Sequence, residues 1–311
     1  MYTRLAVLLL AGCCGCSLIP EIAYQPRYHN PFPQLHRIAI LPFFNLSESP
    51  HVDADRVTLL YYEELQAIPG FEVLPVGVVK QKLAESGKLI DEKTDFQQLA
   101  QELGVDAVLV GAVTDYSPYY PPRLGLAVRW YAANRGFHPI PPGYGLPWGT
   151  AEEEYIPDWI VWEAEFALAR EQLATQTPEP RPDEAPGGSS DQAAGAPHAA
   201  RTGLPADWPD PTGFVPPPPS RLRPPYRPQY EPIIRHTRIY HGNDEEFTRR
   251  LADYYFFRDD ARFGGWQAYL GRSEDFVRFC CHLHITETLA LRGGVREPKV
   301  VWRWPISRYD R

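Results

Sequence analysis

Residues 37–46 read RIAILPFFNL. This short run of apolar and β-branched residues predicts a buried strand over 37–46. Reading outward, SESP (47–50) supplies turn and helix-start chemistry. VDADRVTLLYYEELQAI (52–68) places Val57, Leu60, Tyr61 and Leu65 at helical spacing on one face. Pro69-Gly70 stops that helix, and FEVLPV (71–76) is a second strand. VGVVKQKLAESG reads as a short helix closed by Gly87, and TDFQQLAQELG (94–104) as another, with Thr94 or Asp95 as its cap and Gly104 as its stop. VDAVLVGAVTDYS (105–117) is a strand. RLGLAVRWYAA (123–133) alternates Leu124, Leu126, Val128 and Trp130 at period two, a strand with one wet face. The order β-α-β-α-α-β-β predicts an α/β fold with a mixed β-sheet flanked by helices.

The chain has 311 residues, a hydrophobic fraction of 44% and a net charge of −8. The length predicts two domains, or one domain with a large insertion. The negative charge argues against a nucleic-acid partner, since little would displace counterions from a phosphate backbone. Proline is in excess, at 34 residues, and 16 of them fall within 178–232. That stretch, with GGSSDQAAGAP and PPPPSRLRPPYRP, is too poor in apolar side chains to offset its ordering entropy, so the sequence predicts disorder or polyproline II there. The stretch 158–176 is ambiguous in period, and its Ala, Glu, Arg and Gln content favours a helix. Order returns with a strand over 231–242, a helix over 243–258 capped by Asn243 or Asp244, and a helix over 273–291. The tail KVVWRWPISRYDR is a final strand or a loose end.

The amino terminus carries a different signal. One positive charge (Arg4) precedes the apolar run Leu5–Leu10, too short to span a bilayer, and small residues follow. Leu10-Ala11-Gly12-Cys13 resembles the bacterial lipobox at all four positions. That resemblance implies cleavage before Cys13 and acylation of Cys13, a stable anchor of two or more chains. Position 14 is not Asp, which by the sorting rule of such lipoproteins implies the outer membrane, facing the periplasm. Cys14 and Cys16 are read as bystanders. Residues 17–36, with four prolines and no periodicity, read as a tether reaching roughly 60 Å at most.

RIAILPFFNLS, FEVLP and LAQELGVDAVLVGAVTDY together resemble the α/β domain shared by the TolB amino-terminal region and by envelope lipoproteins related to CsgG, the curli secretion component, and LpoB, a peptidoglycan synthase activator. The resemblance covers about residues 36–132. It implies a partner among envelope proteins or peptidoglycan-associated machinery, and leaves a homo-oligomer open. A CsgG-like export complex is an alternative, although only 123–133 approaches the length of a membrane-spanning hairpin strand. An LpoB-like activator would carry its long disordered segment between anchor and domain, whereas here the long segment is internal.

The domain reading is therefore a signal peptide over 1–12, a tether over 13–36, the first part of an α/β domain over 37–133, a Pro-rich insertion over 134–232 disordered mainly over 178–232, and completion of the same domain over 233–311.

Candidate chemistry is sparse. CCHLH (280–284) places Cys280 and His284 four apart, and Cys281 and His284 three apart, as zinc ligands on a helix would be. No second ligand pair stands at matching spacing, and Phe276, Phe279, Cys280 and Leu283 make an apolar stripe, so packing is the expected role. An envelope enzyme or metal protein using Cys280 and His284 remains an alternative. Asp53, Asp55, Glu63 and Glu64 form an acidic cluster, with Glu63 and Glu64 expected on the solvated side of their helix. Tyr119, Tyr120, Trp130, Tyr144 and Trp148 lie near Pro and Gly, where aromatic faces bind peptide or glycan. No cofactor is expected, and the function expected is a non-enzymatic interaction or assembly factor of the cell envelope.

Overall fold

The computed structural model describes residues 20–87, 94–176, 228–258 and 262–303. The expected signal peptide, Cys13 and most of the proline-rich stretch lie outside the described residues. The chain divides into two units, 1–169 with 228–311 and 170–227. Of the second, the described part is the end of one helix, 170–176.

The first unit is built on a six-stranded mixed sheet. Its strands are β2 (Arg37–Ile40), β3 (Phe44–Asn45), β4 (Glu72–Leu74), β5 (Ala107–Ser117), β6 (Arg123–Ala132) and β7 (Ile234–His241), in the order β4-β2-β5-β6-β7 with β3 continuing beside β5. β4, β2 and β5 run parallel, and β6 and β7 add antiparallel. β2 is buried on both faces. Ile38 and Ile40 join one core with Leu109, Val113, Leu126, Val128 and Trp130, while Ala39 and Leu41 join a second with Val108. That two-sided burial is why the strand reads as an unbroken apolar run.

Helices cover the two faces unequally. α1 (Ala54–Gln66), α5 (Glu245–Phe257) and α7 (Ser273–Ala290) fill the first core with Leu60, Tyr61, Leu251, Phe276 and Phe279. α2 (Val76–Ser86) and α3 (Phe96–Leu103) cover the second with Val79, Leu99, Ala100 and Leu103. The short α6 (Gln267–Gly271) leads into α7. Caps follow the sequence signals. Asp53, Asp95 and Asp244 accept backbone N–H groups at the starts of α1, α3 and α5, and Gly87 and Gly104 turn left-handed at the ends of α2 and α3. Asp106 accepts from the backbone N–H groups of both His36 and Arg37, which fixes the entry into β2. β7 returns to the sheet beside β6 as expected, in eight registered pairs.

The expected tether differs from the structure. β1 (Glu21–Tyr28) pairs antiparallel with β8 (Val295–Arg303) in a separate two-stranded ribbon. Its proline, Pro26, sits where the register shifts, a place in a ladder that needs no donor from it. Phe32 and Leu35, also within the expected tether, are core residues. Asn30 clips this segment down, its side-chain amide donating to the carbonyls of Leu35 and Gly70. Of the tail, residues 299–303 are strand, and the rest lies outside the described residues.

The Pro- and Gly-rich stretch after β6 also packs on the domain. Arg292, fully buried after α7, donates to the carbonyls of Ile140 and Thr288. Gly293, at φ 77°, passes so close to the Gly145 carbonyl that a side chain would lie 2.4 Å from its oxygen. α4 (Asp158–Gln176) is the helix expected there, anchored at its start by Ile156 and Ile160 against Ala290 and Leu291. Trp162 and Phe166 on it are exposed. Among the described residues no helix is long and apolar enough to cross a membrane.

The Phe43 ring packs against Gly111 on β5, and a Cβ built there would meet the ring at 2.2 Å. Gly111→Ala should therefore cost about 1–3 kcal/mol through overpacking. Gly77→Ala, in open space on α2, should be neutral or stabilising by up to about 1 kcal/mol. Urea unfolding of the two variants measures the contrast, and equal effects would show that the Phe43 ring does not set the requirement for glycine.

Candidate functional site

An open cleft of about 850 Å³ lies on the helical side of the domain. One wall is β1, with Tyr24, Pro26 and Tyr28. The others come from the end of α1, from α5 and from α7. The helices reach it because each apolar stripe continues into a charged or polar residue at the same spacing. On α1 the stripe Val57, Leu60, Tyr61 continues through Glu64. On α5, Arg250, Tyr254 and Arg258 follow one another four apart. On α7, Phe279 and Leu283 are followed at helical spacing by Thr286, with Arg278 and His282 beside them.

Two carboxylates organise this layer. Glu64 is 6% exposed. Its Oε1 accepts from Tyr254 Oη at 3.0 Å and from Arg258 at 2.8 Å, and its Oε2 lies 3.1 Å from His282 Nδ1. Arg278 stands 3.6 Å away and pairs more closely, at 2.6 Å, with Glu63. Arg258 also donates to the Tyr254 hydroxyl and lies over its ring. Burial alone would raise the Glu64 pKa, but His282 and Arg258 outweigh it and hold it below the ordinary value.

Glu287 is 5% exposed. It accepts from Arg250 at 2.7 Å and from Tyr240 Oη at 2.9 Å, with His236 Nε2 at 3.6 Å. Burial again pushes upward, and His236 and Arg250 overcome it, bringing Glu287 to about 2. Burial and the same carboxylates push the Tyr254 and Tyr240 hydroxyls upward. A solvated side for Glu64 is thus corrected: only Glu63 keeps substantial exposure. The signal was present, since position 64 completes the stripe of 57, 60 and 61. Glu287, Arg250, Tyr254 and Arg258 went unread for the same reason, as charged or polar residues on apolar faces.

Cys280, Cys281 and His284 are all fully buried in α7. Burial raises both thiols far above their ordinary range and drives the His284 imidazole well below its own. His284 Nδ1 lies 3.2 Å from Tyr61 Oη and Nε2 lies 3.3 Å from the His236 carbonyl, so both ring nitrogens are occupied within the fold. Among the described residues no three His, Cys, Asp or Glu groups converge as metal ligands would.

The five aromatic residues do not form one surface. Trp130, 1% exposed, leaves the candidate set altogether: it lies on the wall of β6 facing the core, packed against Phe71. Tyr119 and Tyr120 are exposed after β5, near the start of α7, where Tyr116 bonds Ser273. Tyr144 and Trp148 are exposed beside its end, where Gly143 N–H donates to the Leu291 carbonyl. A helix of 18 residues separates the two pairs by about 27 Å.

The buried carboxylates make a pH-dependence that can be measured. In the unfolded chain Glu287 takes up its proton near the ordinary 4.5, and in the folded chain only near 2. The stability it contributes is complete above 4.5 and is lost as pH falls toward 2, by on the order of 3 kcal/mol. Urea midpoints followed over that window should fall for the natural chain and fall much less for Glu287→Gln. Equal slopes in the two proteins would refute the assignment.

No protein-family model matches the chain, and no curated protein matches it. Solved structures align with part of it. Lipoprotein GNA1162 from Neisseria meningitidis is 22% identical over 32% of this chain and 72% of that one, with a TM-score of 0.27. The PelC dodecamer from Paraburkholderia phytofirmans is 13% identical over 37% and 72%, at 0.22. The LpoB C-terminal domain from Salmonella enterica is 12% identical over 34% and 77%, at 0.28. Bacterial lipoproteins are thus among the solved structures to which a third of this chain is similar.

Proposed function

We propose that this chain is a lipid-anchored protein of the bacterial cell envelope, acylated at Cys13 and held at the outer membrane facing the periplasm, and that it acts as a non-enzymatic interaction or assembly factor whose cleft receives a segment of an envelope partner. The anchor rests on Leu10-Ala11-Gly12-Cys13. The sequence resemblance supplies the class of partner, envelope proteins or peptidoglycan-associated machinery.

The observation that carries the non-enzymatic reading is the state of the cleft's own charges. General acid–base work is most efficient when a group titrates near the working pH. Here Glu64 is pulled down, and Tyr28 and Tyr254 are pushed up. Glu64 is already engaged by Tyr254, Arg258 and His282 from neighbouring elements. The result is a rigid wall of aromatic and paired polar groups around open space, the composition of an interface core with a polar rim.

Two measurements test this reading. Mass spectrometry of the mature protein from its native envelope should find the chain beginning at Cys13 with acyl groups attached, and Cys13→Ser should abolish both processing and labelling by radioactive palmitate. A processed chain without lipid would overturn the anchor. A photo-crosslinking residue introduced at Phe257, in the cleft, should give a discrete adduct in intact cells, and Arg278→Glu should weaken it. The same residue introduced at Tyr119 should give none. Equal capture at both positions, or turnover of an ester or cell-wall substrate that depends on Glu64, would overturn the function.

A further inference from the structure

The ribbon of β1 and β8 ends in an apolar face that nothing among the described residues covers. Ile22 stands opposite Trp302, and Tyr24 opposite Val300, so the four side chains share one side of the ladder. Their exposures are 53%, 58%, 63% and 53%. Tyr24 also edges the cleft. The two strands carry four basic residues (Arg27, Arg296, Lys299 and Arg303) and two acidic ones, in a chain whose net charge is −8. Lys299, opposite Gln25, lies on the other side of the ladder from the apolar four. Trp and Tyr beside basic residues are the composition that settles at a membrane–water boundary, and cations there gain from anionic headgroups.

Position supplies the occupant. Ile22 follows Cys13 by nine residues, so a fully extended link reaches only about 30 Å. Four half-exposed apolar side chains would bind a bilayer weakly on their own. A tether this short converts the contact into an intramolecular one at an effective concentration in the millimolar range.

We propose that the open end of the ribbon, Ile22, Tyr24, Val300 and Trp302, lies in the headgroup–acyl boundary of the leaflet that holds the Cys13 acyl chains. The inference rests on the acylation proposed above. It orients the domain with the cleft, which Tyr24 edges, beside the membrane surface.

The test uses the full-length, processed protein reconstituted into phosphatidylethanolamine–phosphatidylglycerol vesicles. In a Cys14→Ser, Cys16→Ser background, Trp302→Cys is labelled with the polarity-sensitive dye NBD. Ile22→Cys serves as a second probe and Tyr119→Cys as the control. Cys280 and Cys281 are fully buried, so they stay unlabelled. The emission of the dye at 302 and at 22 should shift to the blue on reconstitution and be quenched by lipids spin-labelled near the headgroup, while the dye at 119 should do neither. Vesicle flotation is read on the same samples. Protein that floats with unquenched dye at 302 and 22 overturns the ribbon contact and leaves the anchor standing. A blue shift without quenching by lipid also overturns it, in favour of a second copy or another protein on that face. Protein that does not float overturns the anchor and the contact together.

Discussion

The helical layer depends on two carboxylates that have been taken out of water. A buried, uncompensated carboxylate would cost several kcal/mol, so its partners must be in place whenever the chain is folded. Glu64 draws Tyr254 and Arg258 from α5 and His282 from α7 onto the end of α1. Glu287 draws Arg250 from α5 and Tyr240 from β7 onto α7. α5 has partners in both sets, which fixes its rotation and its height against the other two helices at once. An apolar interface alone would tolerate slippage by a turn, since one leucine-sized side chain replaces another. Polar contacts from Arg250 and Tyr254 on one helix, and from Arg258 just past its end, do not. Specificity of packing, more than net stability, is what such pairs offer.

The sheet was legible because its physics is local. An apolar run, caps at fixed offsets and period-two alternation each report the state of a few neighbouring residues, and α1, α3, β5 and β6 appear within a residue or three of where those signals put them, while the strand expected over 37–46 is broken into β2 and β3. The helical layer was less legible because its chemistry is not local. Glu64 sits at a core position of its stripe, yet its type argues for solvent. Only the approach of Arg258, 194 residues away, reverses the balance. The same reasoning explains the segment before β2. Four prolines over 17–36 argue for an extended tether, and β8, which turns 21–28 into a strand, lies at the other end of the chain. Trp130 was misplaced differently: its alternation with Leu124, Leu126 and Val128 already assigned it to the packed wall, and grouping it with loop aromatics overrode that signal.

The buried polar residues of α7 show how a tempting ligand set can be spent on packing. Cys280, Cys281 and His284 share a helix with Glu287, and the interior that makes Glu287 depend on Arg250 keeps the thiols protonated and the imidazole neutral. A metal would need the thiolates that this environment disfavours. The helix thus holds Cys280, Cys281, His284 and Glu287 in fixed states.

The long excursion between β6 and β7 raises the question of how the two strands still find each other. Even a connection of roughly 100 residues that paid its full loop entropy would cost only about 2–3 kcal/mol more than a tight hairpin. Against this stand eight registered pairs between the strands and the burial of Ile233 and Ile234. The ends of the excursion are also held close to the sheet: Ala133 N–H donates to the Asp106 carbonyl, and Ile233 N–H to that of Trp130. Arg292 then ties the first part of the excursion to the end of α7. β8 leaves from that same end to pair with β1, so the ribbon inherits its position from the core that the excursion leaves intact.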